Sequence, residues 1–252
     1  MILNLDGTEE EYLKYRHGYP QALLEKLKQY GIGIENQHVL DIGTANGLFA
    51  RDIARQGSRV TGIDLSSDLI NQAREVNIKE RLPIEYMKGN AEDLPFDNTS
   101  VEAVTAVYCW HWFNRPNVAN EVYRVLEDGG RMAIVNYDWL PSRSDIALST
   151  QTLIEEFNPQ ANKSNKLKIY PEWIEDLYTA GFSDVETFSF DVNIQYTLEH
   201  WIGRIQASPE IGGALDEAKI IEFNKKLNAF LEEYNSKAFS IPYRAFGIIG
   251  LK

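Results

Sequence analysis

A chain of 252 residues is long enough for one sizeable α/β domain with insertions and too short for two large ones. Its 37 acidic and 25 basic side chains leave a formal net charge of −12, and Lys and Arg are scattered along it. A phosphate backbone would be repelled, so no nucleic acid is expected as a partner.

The single cysteine, Cys109, excludes an intramolecular disulfide framework, and histidines at 17, 38, 111 and 200 have no metal-ligand spacing. No metal is expected, and a reducing, cytoplasmic setting fits. The opening MILNLDGTEEEYLKYRHG turns acidic early, unlike a signal or transit peptide. No apolar run approaches the roughly 20 residues that span a bilayer, so no membrane partner is expected.

Within the opening segment, Tyr19-Pro20 separates a short polar helix from a longer amphipathic one ending at Gly31. From 38 to about 137, apolar stretches of strand length alternate with helical patterns. The spacing predicts strands at 38–42, 59–63, 84–88, 101–107 and 131–136, with helices near 47–56, 67–77 and 117–126. Such alternation predicts a parallel, doubly wound sheet, because parallel neighbours need crossover connections that cover its faces. A linker rich in Pro and Ser follows around 141–144, then a helix near 171–180 stopped by Gly181 and a strand at 183–190. Helical segments within 197–207 and 216–235 lead to the strand-like run RAFGIIGLK.

The first predicted strand ends in HVLDIGTANGLFA, where Asp41 precedes Gly43 and Gly47 opens a helix. Glycines between a strand and a helix bring backbone N–H groups and the helix N-terminus close to a ligand. A tight turn with no ligand has the same local pattern. A dinucleotide fingerprint starting at Gly43 would need glycines where Ala45 and Leu48 stand, which disfavours a nicotinamide-dependent oxidoreductase.

The pattern Asp41-x-Gly43-x-Ala45-x-Gly47 resembles the first motif of the class I S-adenosylmethionine-dependent methyltransferases, with alanine at the usual middle glycine. Three further stations occur in the family's order: VTGIDLSSDLI, MKGNAEDLPFDNTS, and VEAVTAVYCWHWF running on to EVYRVLEDGGRMAIV. The resemblance covers roughly 38–137. YRHGYP, WHWF and WIGRIQAS look similar to the small-molecule, trans-aconitate methyltransferase-like subgroup.

This resemblance implies a Rossmann-like, mostly parallel seven-stranded sheet with helices on both faces and an antiparallel last strand. It implies one domain over 1–252, with a helical lid at 1–35, a cofactor-binding core at 36–140, and remaining core at 141–252 carrying a helical insertion at about 195–240. The implied cofactor is S-adenosylmethionine, with S-adenosylhomocysteine as product, and the implied acceptor is a small molecule. The chain would act as a monomer or homodimer.

The resemblance places Asp41, Gly43, Thr44, Ala45, Gly47 and Val107 at the methionine end of the cofactor. Asp64 and Leu65 fall at the ribose, where a carboxylate can accept from both hydroxyls. Asp64 or Ser66 is equally a cap for the next helix, and Ser66 or Ser67 can take that task. Asn90, Ala91 and Glu92 fall at the adenine, and the Asn90 amide oxygen can accept from its exocyclic amine. A surface turn is the other reading of that loop.

Tyr15, Arg16, Tyr19, Trp110 and Trp112 are the expected substrate or lid residues, Arg16 as a carboxylate clamp and the tryptophans as π faces for a cation. Ordinary packing and a solvated helix face are the plainer readings. His111 is the candidate general base, or else an orienting core histidine. A protein that binds the cofactor without catalysis is the alternative to an enzyme.

Overall fold

The computed structural model describes residues 18–163, 167–233 and 238–252. Tyr15, Arg16 and the rest of the expected lid before residue 18 lie outside these residues. Among them, seven strands form one sheet in the order β3-β2-β1-β4-β5-β7-β6. The strands are β1 (His38–Ile42), β2 (Arg59–Asp64), β3 (Ile84–Lys88), β4 (Val101–Val107), β5 (Leu126–Trp139), β6 (Ser183–Thr197) and β7 (Ala238–Leu251). The first five pair in parallel, and β7 runs antiparallel to both β5 and β6.

Alternating side chains divide the sheet between two cores. Leu40, Ile42, Val104, Met132 and Ile134 face one side, where α4 (Arg115–Val125) and α6 (Glu172–Ala180) cover them. Val39, Ala103, Ala133 and Val135 face the other, against α1 (Gln21–Gln29), α2 (Leu48–Ala54) and α3 (Ser67–Glu80). The central parallel strands β1, β2 and β4 are buried on both faces, hence their nearly continuous apolar sequences, whereas the edge strand β3 buries only Tyr86.

Three strands are longer than their sequence pattern predicts. Gly129 and Gly130, which precede the expected strand at 131–136, lie inside β5, where pairing shifts from Val101–Leu126 to Ala103–Arg131. Strand β6 runs on to Thr197 because Val192, Ile194 and Tyr196 continue the alternation expected of a pleated strand. Strand β7 begins at Ala238, and its first residues pair with the end of β6.

The extended ends of β5, β6 and β7 carry a third apolar cluster. Trp139, Tyr196, Ile241 and Tyr243 pack there with α5 (Asp145–Phe157), α7 (Leu198–Gln206) and α8 (Glu217–Glu232). The Trp201 indole N–H donates to Thr150 Oγ1 at 3.1 Å, and Thr150 donates to the Ile146 carbonyl at 2.7 Å. The buried Trp201 indole and Thr150 hydroxyl are thus satisfied within this helical cap. Helix α5 is absent from the sequence reading; the Pro-Ser stretch before it is a short 3₁₀ turn, Pro141–Arg143, and Ser144 caps α5 by accepting from Ala147 N–H. Among the described residues no helix is long and apolar enough to cross a membrane.

Candidate active site

At the carboxyl ends of β1, β2 and β4, a cavity of about 260 Å³ lies between the sheet edge and the cap. The loop after β1 forms one wall. Its backbone turns left-handed at Gly43, Ala45 and Gly47, with φ of +64°, +50° and +75°. An alanine in that region costs roughly 1–2 kcal/mol. The Ala45 methyl packs on Leu69 and on Ala207 of the cap, contacts that offset part of the cost. The departure from glycine at this position therefore leaves the loop turned and ties it to the cap.

Gly47 precedes α2 and lies off the cavity wall. A Cβ there would collide with the Tyr86 ring, besides requiring the left-handed backbone. Gly47→Ala should lower stability by about 2–4 kcal/mol in chemical denaturation, combining strain and overpacking. Gly129→Ala is the control: φ is +82° there, but a Cβ meets nothing within 4 Å, so only about 1–2 kcal/mol should be lost. Equal losses at both positions would show that the Tyr86 contact does not constrain the loop.

Asp41 is 2 % exposed. Thr44 Oγ1 donates to its Oδ2 at 2.7 Å and Thr105 Oγ1 donates to its Oδ1 at 2.8 Å. Burial raises its pKa to about 6 against the pull of those hydroxyls, and the Asp64 charge adds to the rise. Asp64, at the end of β2, accepts the Ala45 N–H on Oδ2 and the Ser66 N–H on Oδ1, both at 2.9 Å. Burial raises its pKa as well, opposed by backbone donors. Ser66 caps α3, its Oγ accepting from Leu69 N–H. Asp64 thus links two loops and keeps further lone pairs on each oxygen.

Leu65, half exposed, lies on the same wall. Beyond β3, Asn90 folds its loop by accepting the Glu92 N–H at 3.0 Å, and Asn90, Ala91 and Glu92 line the cavity. Gly43, Thr44 and Val107 line it too.

After β4, Tyr108 adopts a left-handed φ of +59°, and it lines the cavity together with His111 and Trp112. His111 meets Tyr108 edge-on, with ring centroids 5.9 Å apart. Burial lowers its pKa; Asp138 raises it and Lys168 lowers it further. Trp110 is directed elsewhere: it is fully buried, and its indole N–H donates to Asp176 at 2.9 Å. Tyr19 reaches the cavity, anchored by its N–H on Asp52 and by its ring against Phe49.

Several cavity residues escaped the sequence reading. Asp138 and Lys168 form a buried ion pair at 2.8 Å. Arg204 and Ser208 reach the cavity from α7 and the turn after it. Asp138 ends a strand much as Asp41 does, and that position was the available signal. Lys168 carries none, since only folding brings its segment over β5.

The segment 40–134 matches the family model described as "Methyltransferase domain". It is a class I methyltransferase domain. An uncharacterized methyltransferase of Mycobacterium bovis is 29% identical to the chain over 136 residues, 54% of this chain and 52% of that protein. A ubiquinone biosynthesis O-methyltransferase of Xanthomonas oryzae is 27% identical over 142 residues, 56% of this chain and 59% of that protein. The chain spans about half the length of these curated relatives.

Among solved structures, phosphoethanolamine N-methyltransferase 2 of Haemonchus contortus, in complex with phosphomonomethylethanolamine and S-adenosylhomocysteine, superposes with a TM-score of 0.62. That likeness, at 20% identity, covers 98% of this chain and 57% of the other and concerns the fold. The matched segment of the methyltransferase domain includes β1, β2, β3 and β4, whereas the cap lies outside it.

Proposed function

We propose that the protein is an S-adenosylmethionine-dependent methyltransferase acting on a small molecule enclosed beneath the cap. The observation that carries this reading is the continuity of the cavity, which runs from Asp41 and Asp64 to His111, Asp138 and Arg204. Cofactor and acceptor can share it.

In this reading the free lone pairs of Asp64 accept from the two ribose hydroxyls. Leu65 offers its exposed apolar face to the adenine, and Asn90 has one amide-oxygen lone pair left for the exocyclic amine. Asp41 sets negative potential beside the ammonium and sulfonium, its orientation fixed by Thr44 and Thr105. The leaving group of methyl transfer is a neutral thioether that needs no proton. Alignment of the acceptor and exclusion of water can then supply much of the rate. The cap and Tyr19 do the enclosing. Burial favours neutral His111, leaving a ring nitrogen able to take a proton from a hydroxyl or ammonium acceptor.

The test is incubation with labelled S-adenosylmethionine and pools of small acids, alcohols and amines, alongside calorimetry with S-adenosylhomocysteine. Methylated product should appear with one pool and S-adenosylhomocysteine should bind. Failure of S-adenosylhomocysteine to bind would refute the cofactor assignment. Binding without turnover on any pool would favour a non-catalytic cofactor-binding protein.

A further inference from the structure

Apart from the solvent-exposed Glu210, the cap side of the cavity holds three charges, and two of them cancel. Asp138 is committed through Oδ2 to Lys168 at 2.8 Å, while its Oδ1 accepts the Trp139 N–H at 2.9 Å. Arg204 is the third. Among the described residues no carboxylate lies within 4 Å of its guanidinium and no acceptor is within hydrogen-bond reach, although the group has five N–H donors. Burial opposes its charge and the Asp138 carboxylate favours it; a guanidinium stays protonated. Glu210, the other acid on this side, is exposed to solvent.

A second observation comes from Ser208, four residues further on. Its side chain is 5 % exposed, it lines the same cavity, and its buried Oγ has no hydrogen-bond partner. A guanidinium fork and a hydroxyl, both lacking acceptors among the described residues, thus border one space. The planar fork matches the two oxygens of a carboxylate or phosphate, and a hydroxyl can donate to the same group.

We infer that the acceptor carries an anionic oxygen group, a carboxylate or a phosphomonoester, which Arg204 and Ser208 bind from the cap. This rests on the methyltransferase reading and adds the class of acceptor. Arg204 is then a specificity-determining residue of the cap.

The experiment saturates the protein with S-adenosylhomocysteine and titrates inorganic phosphate or acetate, with chloride holding ionic strength constant. Binding to the wild type is expected for at least one anion, and a preference for phosphate or acetate tells a phosphomonoester from a carboxylic acid. Arg204→Gln should weaken that binding at least tenfold while S-adenosylhomocysteine affinity stays within about twofold. Arg204→Lys retains the charge and should fall between the two. Ser208→Ala should weaken the anion several-fold without altering the melting temperature. These variants keep the test decisive should Arg204→Gln fail to fold.

The inference is overturned if the cofactor-loaded wild type binds neither anion, or if Arg204→Gln or Arg204→Lys binds as the wild type does. A tenfold loss of S-adenosylhomocysteine affinity in Arg204→Gln would also overturn it, by assigning Arg204 to the cofactor's own carboxylate. If the wild type fails to bind S-adenosylhomocysteine at all, the methyltransferase reading fails as well.

Discussion

Asp64→Ala should weaken S-adenosylhomocysteine binding by about 1.5–3 kcal/mol, roughly ten- to hundredfold, in a protein that still folds. The proposed ribose contacts are hydrogen bonds to an ionised group, which carry that range. The same oxygens hold the Ala45 and Ser66 N–H groups, so the substitution also releases the loops on both sides of the ligand. Asp64→Asn should recover little, because its amide nitrogen would face one of two backbone donors. Calorimetry on both variants measures the effect, with circular dichroism confirming the fold. Wild-type affinity in a folded Asp64→Ala protein would remove Asp64 from the cofactor site.

Asp41→Asn should have two opposite effects: greater stability of the free protein at pH 7.5, and weaker cofactor binding. In the folded protein the Asp41 pKa is about 6, above its ordinary 3.8, so the native state binds the proton more tightly than the unfolded chain. The associated stability is fully present below about pH 4 and is lost as pH rises through about 6. The pKa gap corresponds to about 3 kcal/mol at most. Asparagine has no charge to bury, and its amide can still engage both threonine hydroxyls, which serve as donors or acceptors. Thermal melts at pH 7.5 should therefore rise by several degrees, at about 2–4 °C per kcal/mol for a chain of this size. Cofactor affinity should fall about tenfold or more through loss of the negative charge beside the ammonium, and in the wild type it should decline below about pH 6. A melt unchanged by the substitution would mean that ionised Asp41 is not a burden on the free protein.

The parallel half of the sheet was legible because burial on both faces yields short apolar runs, and alternating helices give a second period. Asp41, Asp64 and Asn90 were legible for a related reason: polar residues at strand ends next to glycines have little packing to do. Trp110 and Trp112 show the limit. Two residues apart in an aromatic run, they differ in which way a single 3₁₀ turn directs them, one toward Asp176 and one toward the cavity. Arg204 sits in WIGRIQAS, where an arginine on an amphipathic helix reads as solvated. Its place in the cavity depends on how α7 lies on β6 and β7, which is a long-range property. The Asp138–Lys168 pair is long-range too, joining residues 30 apart that share no local period.

The place of β7 in the sheet bears on the order in which the molecule assembles. β6 precedes β7 in the chain but pairs with no other strand of the sheet, so it has no partner until β7 forms, and it joins the sheet only through β7 beside β5. Helices α7 and α8 belong to the connection between these two strands. Closing that connection costs chain entropy before any pairing rewards it, and such non-local steps are slow. The β1–β4 region, with its glycine loop, can pair from shorter-range crossovers, whereas the position of Arg204 over the cavity awaits the final strand. Refolding should accordingly restore the walls around Asp41 and Asp64 before the roof, so the two halves of one cavity would be completed at different times.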